Sequence, residues 1–166
     1  MKKQIRQQHQ STRKGTAAVE FAVVLPLLLI LIMGTIEIGF AMQASTVLNG
    51  AVREGGRLAS MDFTDRVGPN ETANQKVRRD IQNFITAAGF DGSQALVSIR
   101  HSGGPLDTEN FDLEDESNNL KYFKIRATFP YSAVSGLSMF PVNFTGNRTR
   151  LQSSAVFRAT RSSLAQ

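Results

Sequence analysis

The chain of 166 residues contains no cysteine and only two histidines. Without thiols, neither a disulfide scaffold nor a zinc–thiolate centre can form. His9 and His101 both lie in polar segments, and no serine, histidine and acid stand in a recognisable catalytic arrangement. No glycine-rich stretch leads into a helix with a lysine in the phosphate-binding pattern. Internal repeats and heptads of useful length are missing too. About 110 residues follow Met42, enough for a small core but little for a deep catalytic pocket. The chain is therefore read as a non-enzyme that needs no cofactor.

Two further absences concern charge. No acid occurs among the first fifteen residues, whereas Lys2, Lys3, Arg6, Arg13 and Lys14 all fall there. The formal net charge is +5, so these five account for the whole excess, and the rest of the chain carries as many basic as acidic residues. A basic surplus confined to one side of an apolar run is a positive-inside signal, which predicts a cytoplasmic N-terminus and an exported C-terminal part. Nucleic-acid binding loses its main support. The second absence is of any charged residue from Phe21 to Ile36. The 22 residues from Phe21 to Met42, interrupted only by Glu37, span about 33 Å as a helix, roughly one bilayer core. A cleaved secretory signal fits poorly: the run is longer than an h-region, and Gly34, Gly39 and Ala41 form no clear small-x-small site.

The expected organisation is α+β. Residues 1–15 form a basic, glutamine-rich cytoplasmic leader, expected to be unstructured and to be cleaved off. Residues 16–60 form a long helix with its transmembrane part at about 21–42. Beyond Met42 the apolar positions Val47, Leu48, Ala51, Val52, Gly55, Leu58 and Ala59 recur mostly every three or four residues, an amphipathic pattern that predicts an exported helical half. Gly50, Gly55 and Gly56 each weaken a helix by about 1 kcal/mol relative to alanine; they either end it or let a neighbour approach closely. Residues 61–166 are the exported domain. It holds a second helix at Thr72–Gly89 and strands at Ala95–Arg100, Tyr122–Tyr131 and Leu151–Arg161, expected as a three-stranded antiparallel sheet stacked on the long helix. Lys76, Arg78, Arg79 and Asp80 are expected on a solvated helix face.

Between the first two strands lie six acids: Asp107, Glu109, Asp112, Glu114, Asp115 and Glu116. They supply the oxygens of a calcium loop but not its central glycine, so no metal site is assigned and a mobile solvated loop is expected. Arg53, Arg57, Leu137, Met139 and Phe140 are the candidates for an exported interface, the last three also being able to cover the core.

The group with chemical meaning is Lys14, Gly15, Thr16 and Glu20. Glu20 sits at the edge of the hydrocarbon, where a carboxylate is costly unless paired. A cut after Gly15 would give Thr16 a free α-amine four residues ahead of that acid, at a helix start that favours negative charge.

The run Lys14-Gly15-Thr16-Ala17-Ala18-Val19-Glu20-Phe21 resembles the class III signal of prepilins: a basic residue, a glycine, then an apolar segment with glutamate fifth. More narrowly, Arg13–Gly39, with Asn49–Ser60 behind it, resembles the TadE-like minor pseudopilins of tight-adherence (Flp-type) pilus systems. Pro26 fits the resemblance and can kink the helix. The resemblance implies an inner-membrane precursor cut between Gly15 and Thr16 by a dedicated prepilin peptidase, the protein being substrate rather than enzyme. The mature chain would pack against other pilins through Phe21–Ile36, with Glu20 meeting a neighbour's new amine, in or beneath an adhesive type IV-like pilus. Glu37 lies outside the signal and is expected to face the exported interface or a protein partner. Two alternatives are a pseudopilin of a related secretion machine, which would use the same signal with other partners, and a bitopic envelope protein with a ligand-binding exported domain.

Overall fold

Leucine, isoleucine, valine and alanine dominate the chain from Ala17 to Met33, with Pro26 the only proline before residue 69. A computed structural model describes residues 2–61, 68, 70–103, 106–131, 134 and 150–160, and the backbone alone over 2–14. The elements are α1 (Lys2–Ser60), α2 (Ala73–Ala87), β1 (Leu96–His101), β2 (Tyr122–Pro130) and β3 (Arg150–Arg158), with short 3-10 turns at Gly92–Gln94 and Glu116–Asn118. The chain divides into two compact units, Met1–Gly39 and Phe40–Gln166.

The helical backbone of α1 reaches back through the leader to Lys2, where the polar composition predicts no structure. The physical reason is local: Gln, Lys and Arg are good helix formers, and nothing before Pro26 removes a backbone donor. At its other end α1 runs past Gly50, Gly55 and Gly56 to Ser60.

Within the second unit, Ala44, Leu48, Ala51, Val52 and Ala59 of α1 are buried along one stripe. Gly55 and Gly56 extend it, and the reason for glycine there is contact. A Cβ at Gly55 would overlap the Ile81 side chain of α2, and one at Gly56 would overlap the ring of Phe157 on β3. Of the two readings open to these glycines, close approach by a neighbour is the one realised.

Helix α2 starts with a capping box. Thr72 Oγ1 accepts a hydrogen bond from the Gln75 amide (3.3 Å), and Gln75 Oε1 accepts one from the Thr72 amide (3.0 Å). Its buried face is Ala73, Val77, Ile81 and Ile85, and Gly89 follows the helix at φ +93°, a conformation that favours glycine. Phe84 is 41% exposed and lies beside Gly50. On the polar side Lys76 pairs with Asp80 (2.9 Å) and Arg79 with Glu71 (2.9 Å), so the basic cluster is largely compensated.

The sheet is antiparallel in the order β1-β2-β3. Its register places Ile99, Ile125 and Ala155 in one row and His101, Phe123 and Phe157 in the next. Ile99, Phe123, Ile125, Ala127 and Phe129 form the buried inner face, with tilted ring contacts from Phe111 to Phe123 (5.2 Å) and Phe123 to Phe157 (5.9 Å). Two polar ties join α1 to the end and middle of β3's run: Ser153 Oγ donates to Asn49 Oδ1 (2.6 Å), and Thr160 Oγ1 donates to the Ser60 carbonyl in the helix's last turn (2.6 Å).

The acidic segment differs most from expectation. Rather than a mobile solvated loop, its described part is built into the fold. Phe111 and Leu113 are buried, and the Phe111 amide donates to the Ile99 carbonyl (3.1 Å), laying the segment against β1. Asn74 Nδ2 donates to the Phe111 carbonyl (2.7 Å), and the Leu113 amide donates to Asn74 Oδ1 (3.1 Å). Glu114 accepts from the Ala73 amide (2.7 Å), placing its charge at the start of α2, while Asp112 and Asp115 accept from amides two residues on. Two apolar residues set among the acids suffice to anchor the segment, and the acids then turn to backbone donors.

The contact at Gly56 gives a direct test. Alanine raises helix propensity by about 1 kcal/mol over glycine, yet overpacking against the partly buried Phe157 ring costs about 1–3 kcal/mol. Gly56→Ala is expected to lower the denaturation midpoint followed by far-UV circular dichroism, and Phe157→Leu in the same chain to restore part of the loss. A more stable Gly56→Ala protein would show that the approach is not tight.

Candidate processing and assembly site

The residues singled out in the sequence, Lys14, Gly15, Thr16, Glu20 and Phe21, lie in the first unit along α1. Gly15, Thr16, Glu20 and Phe21 are all exposed, and the backbone at Lys14 is helical. A Cβ at Gly15 would meet no other group within 4 Å, so packing does not demand glycine there. Thr16 is engaged within the chain. Glu20 makes no hydrogen bond or ion pair among the described residues, and no other acid of the apolar run is as fully exposed.

From Val19 onward the surface is apolar and open. Phe21 is 62% exposed and Leu31 68%, and the most apolar window of the helix is not buried at all. An exposed apolar surface of this extent requires a lipid or protein environment. The helix is long and apolar enough to cross a membrane once. The polar groups inside it are handled accordingly: Thr35 Oγ1 donates to the Leu31 carbonyl (2.9 Å), keeping its hydroxyl satisfied without water.

Pro26 leaves a gap in that satisfaction. It lies inside α1 and has no amide hydrogen, so the Ala22 carbonyl lacks its usual donor one turn on. In hydrocarbon an unmet carbonyl is costly, and a neighbouring helix or local rearrangement must supply the donor. Glu37 differs from Glu20: it is partly buried and engaged within the chain.

The remaining candidates are scattered. Arg53 is exposed on α1. Arg57 forms an ion pair with Glu54 (2.8 Å); the shared hydrogen bond draws the Glu54 carboxyl below its ordinary range and raises the Arg57 guanidinium. Leu137, Met139 and Phe140 lie outside the described residues. The acids Asp107, Glu109, Asp112, Glu114, Asp115 and Glu116 do not converge: Asp107 pairs with Lys124 (3.1 Å), Glu114 caps α2, and Asp112 and Asp115 cap their own turns. Among the described residues no group of three or more histidine or acid side chains is placed to hold a metal ion. Sequence reasoning missed the Pro26–Ala22 gap as a feature of the site, although a proline inside an apolar helix signals it.

Comparison with known proteins bears on this same segment. The family model described as TadE-like protein matches residues 15–57. That span begins at Gly15 and covers the apolar run and the buried stripe of α1 as far as Arg57, so the resemblance drawn from the sequence is upheld over the N-terminal region. TadE-like proteins are non-catalytic and associated with tight-adherence pilus machinery. No curated protein and no solved structure matches the chain.

The exposure of Gly15 and Glu20 makes a stability prediction. Neither Gly15→Ala nor Glu20→Ala removes a contact among the described residues, so each is expected to change the unfolding free energy of the second unit by less than about 0.5 kcal/mol. Thermal melts followed by circular dichroism check this. A large shift in either would mean that the N-terminal segment supports the fold.

Proposed function

We propose that the protein is a minor pilin or pseudopilin of an adhesive, type IV-like (tight-adherence) pilus, matured by a prepilin peptidase that cuts between Gly15 and Thr16. The observation that carries the reading is Glu20: an exposed carboxylate without a partner among the described residues, at the mouth of an unburied apolar helix and fifth after Gly15. A carboxylate inside hydrocarbon costs up to about 3 kcal/mol. Cutting after Gly15 removes all five surplus positive charges with the leader and creates an ammonium at Thr16. A neighbouring subunit's ammonium compensates Glu20 when the helices pack side by side. The apolar surface along Phe21–Ile36 then trades lipid for protein.

Before processing, the basic leader holds the N-terminus in the cytoplasm, and residues 61–166 lie on the far side of the inner membrane. The family match starts at Gly15, the last residue of the leader, and leaves the rest of the leader outside it, which supports treating the leader as a separate part. The protein is the peptidase's substrate, and its partners are other pilins and the inner-membrane proteins of the pilus machine. The cleaved chain serves as a fibre component or as an anchor at its base.

N-terminal sequencing of the mature chain tests the reading, with Thr16 as the expected first residue. Gly15→Ala is expected to leave the leader attached. Glu20→Ala is expected to be cut normally and to fail in co-purification with other pilus subunits. An intact leader in cells with an active peptidase overturns the processing, and efficient incorporation of the Glu20→Ala protein overturns the role of Glu20.

A further inference from the structure

Formal charge balance after residue 15 conceals a strong segregation in space. Side chains alternate across a strand, and the charged members of the outward set on this sheet are all basic: Arg100 on β1, Lys124 and Arg126 on β2, Arg150 and Arg158 on β3. Arg100 stands directly opposite Lys124, and Ser98 opposite Arg126. Among the described residues the acid paired with these five cations is Asp107, whose Oδ1 and Oδ2 lie 3.1 and 3.4 Å from Lys124 Nζ. Most other acids of that segment are turned to backbone amides, as described above. Five cations beside Asp107 leave the outward side of the strands predominantly positive.

A cleft of about 130 Å³ opens on this face, lined by Ser98, Arg100, Asp107, Thr108, Lys124 and Arg126. Its chemistry is mixed. Two guanidinium groups offer forked donors suited to carboxylate or phosphate. Two hydroxyls can donate or accept. Asp107 offers acceptor capacity beyond what Lys124 and the Gly103 amide occupy (3.4 Å for the latter). Tyr122, 56% exposed, lies two residues before Lys124 on the same side of β2.

A polymer of phosphates or sulfates alone brings no donor to the acceptor capacity that Asp107 has left beside Lys124 and the Gly103 amide, and the Asp107 charge repels it. A single exposed tyrosine is no stacking platform for a run of bases. A chain of sugar acids satisfies every group: carboxylates for the arginines, hydroxyl donors for Asp107, and a ring face for Tyr122. We propose that the outer face of β1–β3 is a docking surface for an acidic polysaccharide, with carboxylates held by Arg100 and Arg126 and sugar hydroxyls by Asp107, Ser98 and Thr108. The surface rests on the exported placement of this domain, and it gives the adhesive reading a class of ligand.

The test uses the full chain in detergent and immobilised polygalacturonate, with neutral dextran as control. Retention on polygalacturonate alone is expected, weakening as salt rises. The double variant Arg100→Ala/Arg126→Ala should bind at least about tenfold more weakly, a difference of about 1.4 kcal/mol. Arg79→Gln, which removes a charge from α2 instead, should stay within about twofold. The deciding variant is Asp107→Asn. It takes negative charge off the face, so a surface that merely attracts polyanions would bind more tightly; the proposal requires weaker binding, and Ser98→Ala, which leaves the Asp107–Lys124 pair intact, should shift the same way. Tighter binding by Asp107→Asn, undiminished binding by the double variant, or competition by inorganic polyphosphate equal to that of polygalacturonate fragments of the same charge would overturn it. Binding by purified protein is read independently of cleavage at Gly15, so this surface and the processing scheme fail separately.

Discussion

Small side chains on the last turns of α1 set the distance at which everything else in the second unit can pack. Ala44, Ala51, Gly55, Gly56 and Ala59 present little beyond backbone, so α2 and β3 approach the helix to within a side chain's thickness. Ile81 occupies the space a Cβ would take at Gly55, and Phe157 the space at Gly56. Close packing of this kind makes dispersion contacts dense and leaves no room for adjustment. It also explains why a helix tolerates two adjacent glycines: their intrinsic penalty of about 1 kcal/mol each is offset by burial of Ile81 and by the packing of the Phe157 ring.

The two units handle apolar surface in opposite ways. In Phe40–Gln166 the buried stripe of α1 is covered by α2 and the sheet, and the polar groups that enter are matched, as at Ser153–Asn49 and Thr160–Ser60. In Met1–Gly39 the apolar surface is left uncovered by the described residues, and a Cβ at Gly34 or Gly39 would meet nothing within 4 Å. The same residue type therefore admits the chain's own neighbours in one unit and leaves the helix surface open in the other. An apolar helix of this length with its surface exposed is suited to a bilayer.

Polar groups in the second unit follow a division of labour that net charge does not register. Acids cap: Glu114 the start of α2, Asp91 and Asp115 the two 3-10 turns. Hydrogen bonds from Ser93 and Gln94 hold the Asp91 carboxyl below its ordinary range, as Lys124 and the Gly103 amide do for Asp107. With Asp91, Glu114 and Asp115 committed to caps and Asp80 and Glu71 paired on α2's side, the outward cations of the sheet are left in excess over Asp107.

The span, the amphipathic continuation, the second helix and the alternation of all three strands were legible in the sequence, because each depends on local periodicity and on short-range rules for caps and turns. The TadE-like character of residues 15–57 was legible as well, since a run of such composition with glycine and glutamate at fixed spacing is a linear pattern. Three things were decided only by tertiary structure. Whether Gly55 and Gly56 end a helix or seat a neighbour depends on Ile81 and Phe157, which lie far along the chain. Whether six acids make a solvated loop depends on where Phe111 and Leu113 find cover and which amides lie within reach. Finally, a chain balanced in charge after its leader shows a basic sheet face only when strand register brings Arg100 beside Lys124 and folding turns the acids elsewhere, because charge is counted along the chain but acts through space.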